Sequence, residues 1–125
     1  MLNWPESVRE LLALISSEGF YPDIVVPKAL AVGPQIQGTF SKAYKKGVKI
    51  AFGTDAGVFK HGNNGKEFGF MVAAGMPVME TIQSATITNA MLLKMEDKLG
   101  QIQKGFFADI IAVDEDPTIN IATME

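Results

Sequence analysis

Asp55 and His61 are the residues of this chain whose types and spacing point to chemistry. They sit in the loop Gly53-Thr-Asp-Ala-Gly-Val-Phe-Lys-His-Gly62, directly after the apolar run Val48-Lys-Ile-Ala-Phe52. In a strand–loop–helix unit, side chains converge on a ligand in the loop that follows the carboxyl end of the strand. Gly53 and Gly57 are expected to let the backbone turn sharply there and bring Asp55 over the sheet. A carboxylate in that place can bind a metal, act as a general base, or cap a turn. Asp beside Gly is common turn chemistry, so the residues alone favour the turn cap. His61 stands six residues further on among glycines and asparagines, where a histidine is more often solvated than a ligand.

Counting restricts the chemistry. Histidine occurs once and cysteine not at all, and a catalytic zinc site takes three or more protein ligands. Imidazoles alone therefore cannot build a metal site here. Glu67 and Asp97 could add carboxylates, but their spacing directs neither toward Asp55. Disulfides and thiol catalysis are excluded as well. The loop lacks the Lys-Ser/Thr ending of a phosphate-binding loop, and its aspartate would repel phosphate. No Gly-x-Ser-x-Gly elbow occurs, and the single glycine of Phe68-Gly-Phe70 lies within a helical pattern rather than a dinucleotide fingerprint.

The elements that must position Asp55 are read from periodicity. Pro5 opens a helix with Val8, Leu11, Leu12 and Ile15 on one side, and Gly19 stops it. Three prolines make the first half of 20–34 irregular and extended. A second helix is expected over 34–46, with Ile36, Phe40, Ala43 and Tyr44 as its apolar side and Gly47 as its end. Residues 48–52 read as a buried strand of parallel type. Asn63 or Asn64 is expected to cap a third helix that ends at Gly75, and Met76-Pro77 restarts the chain as a fourth carrying Val78, Ile82 and Ala85. The Thr-rich stretch 84–90 breaks it, with Thr88 or Asn89 capping a short helix over 90–95. Met71, Met76, Met79, Met91 and Met95 are expected to pack in the core. From Leu99 to Pro117 glycine turns alternate with short β-type runs. Residues 1–96 thus read as α/β and 97–125 as β.

Bulk properties exclude several partners. The chain has 125 residues, 47% of them hydrophobic and 20% charged, with a formal charge of −3, which is ordinary globular composition. Its Lys and Arg are dispersed, and the short run Lys42–Lys46 reads as a helix end, so no nucleic-acid surface is expected. No apolar run approaches the ~18 residues of a membrane span. The N-terminus lacks the pattern of a signal peptide, and a cytoplasmic location is expected.

Three motifs then occur in order: YKKGVKIAFGTDAGVFKHGNNGKEF, VAAGMPVMETIQSATITNAMLL and DKLGQIQKGFFADIIAVDEDP. Together they resemble the C-terminal part of a metal-dependent amidohydrolase, of the imidazolonepropionase-like and Xaa-Pro-dipeptidase-like subgroup. The resemblance covers about 21–125. It implies an α/β fold in which 1–96 is the C-terminal portion of a (β/α)8 barrel, around its eighth strand, and 97–125 a partial small β-sandwich. Such a piece is incomplete on its own.

By the same resemblance, Asp55 ends the eighth strand, binds a divalent metal (zinc being expected), and shuttles a proton from the attacking water to the leaving amine. His61 would line the pocket for a dipeptide or other small-molecule substrate. The remaining ligands of such sites are a His-x-His pair, a carboxylated lysine and two further histidines, none of them in this chain. Asn63-Asn-Gly-Lys-Glu67 also departs from the family's acidic form of the loop. The chain is therefore expected to be part of a longer hydrolase of amide or peptide bonds and inactive alone. The competing reading is a non-catalytic remnant or assembly module that keeps only the scaffold. Either way, the unpaired edges of 48–52 should drive association, as a homo-oligomer or with other strands.

Overall fold

The computed structural model describes residues 24–56 and 61–125. The helix expected to begin at Pro5 and the turn at Gly57 lie outside the described residues. Four α-helices carry the described structure: α1 (Val26–Lys45), α2 (Lys66–Ala73), α3 (Val78–Ala85) and α4 (Ile87–Leu92). Short 3-10 turns occupy Asn63–Gly65 and Ile121–Met124.

Helix α1 begins well before the expected 34–46. Pro27 stands in its first turn, where the backbone N–H has no helical partner and a fixed φ is preorganised. Pro34 lies inside the helix and removes one ladder hydrogen bond, yet the 20 residues continue through it. At Val26 and Pro27, within the half expected to be extended, the backbone is helix instead. Ile36, expected on the packed side, is exposed.

Helix α2 follows its 3-10 turn directly, and its N-cap is Gly65 with no side-chain cap hydrogen bond. The expected Asn63 or Asn64 cap is thus absent. Helix α3 starts after Pro77, as the sequence indicated. The break expected in the Thr-rich stretch is present at Thr86, whose φ of −118° and ψ of −90° are not helical. Helix α4 begins at Ile87, earlier than 90, and neither Thr88 nor Asn89 caps it. Thr86 Oγ1 instead donates to the Ile82 carbonyl at 3.0 Å, a local bond that competes with a cap.

The core lies where α2, α3 and α4 meet the segment 48–56. Phe68, Met71, Ala74, Met76 and Ala90 are its buried apolar side chains. Phe52 reaches Phe68 across it, with ring centroids 4.4 Å apart and planes at 32°. Thr81 and Ser84 are fully buried, and their own helix satisfies them: Thr81 Oγ1 donates to Pro77 O at 3.1 Å and Ser84 Oγ to Thr81 O at 2.6 Å. Met79 and Met91, expected in the core, are half exposed.

No β-strand occurs among the described residues, neither at 48–52 nor in 97–125. The physical reason is pairing. A strand is stabilised by backbone hydrogen bonds to a neighbour, and one run with no adjacent strand cannot make them. Segment 48–52 is held by helices instead: Val48 N donates to Ala43 O at 3.2 Å and Phe52 N to Ser84 O at 3.2 Å. The tail runs over the surface, where Ile102, Phe107, Ile110, Ile111 and Ile119 are exposed. It returns at Ile121–Met124 to pack against α2. No helix among the described residues is long and apolar enough to cross a membrane.

Candidate active site

The backbone reaches Asp55 through two anchors. Phe52 is fixed on both sides, its N–H by Ser84 O and its carbonyl by the Asn89 side-chain amide at 3.0 Å. Two residues on, Thr54 Oγ1 accepts a hydrogen bond from Asn64 Nδ2 at 2.8 Å. Asp55 follows with φ +46°, in the left-handed region. The expected turning residue Gly53 has no positive φ, so the sharp turn is made by Asp55 itself. Aspartate tolerates this conformation better than most side chains, although it still costs energy relative to right-handed backbone. The carboxylate is presented on the exposed side of the loop.

His61 is exposed at the far end of the loop. Beside it, the Gly62 N–H donates to Asn64 Oδ1 at 3.2 Å. One side chain, Asn64, therefore touches both flanks of the Asp55–His61 segment. Sequence reasoning cast this residue as a possible helix cap and missed the bridge.

The two further carboxylates differ from each other in burial. Glu67 lies half-buried in the first turn of α2, and burial pushes its carboxyl above the usual 4.5. Asp97 is exposed. Among the described residues no three His, Cys, Asp or Glu side chains gather closely enough to hold a metal ion.

A groove of about 670 Å³ opens at the other end of segment 48–52, lined by residues that include Tyr44, Val48, Ile50, Glu80 and Ile87. Tyr44 Oη donates to Glu80 Oε2 there at 2.8 Å, which holds the phenol above its usual 10.0. Neither Asp55 nor His61 lines this groove.

Known proteins resemble this chain in sequence and in fold. A solved Xaa-Pro dipeptidase with methionine bound in its active site is 58% identical, superposes with a TM-score of 0.79, and is matched over 94% of this chain and 29% of its own. Ochratoxinase of Aspergillus niger is 31% identical over 121 residues, which is 95% of this chain and 25% of the enzyme. The same enzyme from a further strain of that species matches equally. The chain thus spans about a quarter of the length of the curated relatives it matches. The likeness implies a TIM-barrel-type fold, of which the described residues hold helical elements. The Amidohydrolase family model matches residues 18–125, and the chain belongs to that family.

Proposed function

We propose that this chain forms part of a metal-dependent amidohydrolase that cleaves a C–N bond in a dipeptide-like substrate, with Asp55 as the catalytic carboxylate. In this reading 1–96 close the barrel, with 48–52 as its eighth strand, and 97–125 belong to a small β domain. The observation that carries it is the 58% identity to a Xaa-Pro dipeptidase over 94% of the chain. The left-handed Asp55, exposed and preceded by two anchored residues, supports its assignment.

Asp55 offers an oxygen to a divalent ion whose other ligands come from outside the described residues. When bound, the ion supplies electrophilic activation of the scissile carbonyl and of water. Asp55 takes the proton from the attacking water as the C–O bond forms. It returns that proton to the departing nitrogen as the C–N bond breaks, so protons balance over the cycle. His61, at the other flank, contacts the substrate through its imidazole. The anchors at Phe52 and Thr54 keep the carboxylate in place through both transfers.

The test is a chimera in which this chain replaces the matched 29% of the Xaa-Pro dipeptidase. It is expected to bind divalent metal and hydrolyse Xaa-Pro dipeptides, and Asp55→Asn should lower kcat by about 10²-fold or more. A folded chimera without activity, or an active one indifferent to Asp55→Asn, overturns the proposal.

A further inference from the structure

The two flanks of the Asp55–His61 segment are joined by one side chain that is neither Asp55 nor His61. Asn64 is part-buried, its amide donates to Thr54 Oγ1 at 2.8 Å, and its carbonyl oxygen accepts from Gly62 N at 3.2 Å. Thr54 immediately precedes Asp55, and Gly62 immediately follows His61. A carboxamide is suited to this task because it carries a donor and an acceptor in one rigid plane. Asparagine also leaves the first turn of the following helix without a side-chain cap, so its polar atoms serve the loop instead.

Asn64 is itself held from behind. An added Cβ on the adjacent Gly65 would strike the Met124 carbonyl oxygen and stand 2.7 Å from Glu125 Cα. The 3-10 turn at Ile121–Met124 thus packs directly on the segment that carries Asn64, in a space only glycine leaves open. The backbone that follows Asn64 is thus packed against the end of the tail, while its amide bonds to the loop flanks.

We infer that Asn64 is a positioning residue, which by joining Thr54 to Gly62 sets where the Asp55 carboxylate and the His61 imidazole stand relative to one another. This rests on the assignment of Asp55 and His61 made above. The left-handed backbone at Asp55 is a conformation the flanking structure must impose, and the Asn64–Thr54 bond is the constraint placed next to it. The amide acts through backbone and hydroxyl partners, and it has no part in the proton transfers.

Two readouts test this. In the folded dipeptidase chimera, Asn64→Ala should speed hydrogen exchange at the Gly62 amide by about tenfold and move the Asp55 ¹³Cγ resonance, while far-UV circular dichroism stays unchanged. In the dipeptidase chimera, Asn64→Ala and Thr54→Val should each lower kcat by about tenfold with KM nearly unchanged. The double variant should be no worse than either single one, because both remove the same bond. Unchanged Gly62 exchange together with multiplicative kinetic losses overturns the inference. If Asp55→Asn abolishes turnover while Asn64→Ala leaves it intact, the positioning role fails and the catalytic assignment stands. If Asp55→Asn is harmless, the catalytic assignment fails, and the exchange data alone decide whether Asn64 orders the loop.

Discussion

The Asn89 side-chain amide donates to the Phe52 carbonyl oxygen at 3.0 Å, across 37 residues of sequence. It joins the short helix after the Thr86 break to the segment that leads into Asp55. The Phe52 carbonyl would face a sheet neighbour if 48–52 were a paired strand, and here a side chain satisfies it. Asn89→Ala removes the donor from a part-buried acceptor. The expected cost is about 1 kcal/mol of unfolding free energy, measured by chemical denaturation. A change near zero would mean that solvent already satisfies the Phe52 carbonyl.

Gly100 stands against the same helix break. Its φ is +83°, and an added Cβ would lie 2.7 Å from Thr86 O. Gly105 has φ +93°, but nothing lies within 4 Å of its added Cβ. Both alanine substitutions incur left-handed strain of about 1 kcal/mol, and only Gly100→Ala adds a collision with backbone. Gly100→Ala should therefore lower the thermal midpoint clearly more than Gly105→Ala. The reverse order would show that the Thr86 turn yields freely.

Glu67 gives a pH dependence with a definite sign. Burial raises its carboxyl above the usual 4.5 by disfavouring the charged form, despite the favourable field of the α2 N-terminus. The folded state therefore holds the proton more tightly than the unfolded chain. The resulting stability is fully present below the unfolded value and is lost as pH rises through the raised folded value. Glu67→Gln should be more stable than the parent at pH 7, with the difference vanishing below about pH 4. Equal stability of the two at pH 7 would contradict the burial argument.

The chain alone is expected to associate. Ile102, Ile119 and Ile111 expose 87%, 86% and 74% of their surfaces, and Val48 stands half exposed. Exposed apolar side chains gathered in this way favour contact with another chain. Sedimentation or size-exclusion chromatography should report a species larger than a monomer. Charged replacements at Ile110 and Ile111 should shift it toward monomer. A parent chain that stays monomeric across concentration would refute this.

How much was legible in the sequence differs from element to element. Helices α2 and α3 were readable because apolar spacing, Gly75 and Pro77 are local signals. The beginning of α1 was not, because prolines discourage helix on average while Pro27 happens to occupy the one turn that accepts it. The Asp55–His61 loop was legible as a motif, and the family it implied is the family the chain belongs to. The left-handed turn fell on Asp55 rather than on Gly53, since glycine permits that conformation without requiring it.

The sequence by itself determined which segments have helical periodicity, that cysteine chemistry is impossible, and which loop carries the candidate carboxylate. Those properties depend on residue type and near neighbours along the chain. Only the tertiary structure decided that Asn64 bridges Thr54 and Gly62, that Asn89 holds Phe52, and that 48–52 rests on helices without forming a strand. These outcomes depend on which hydrogen-bonding groups meet across long separations. A strand or a bridging amide exists only when its partner arrives.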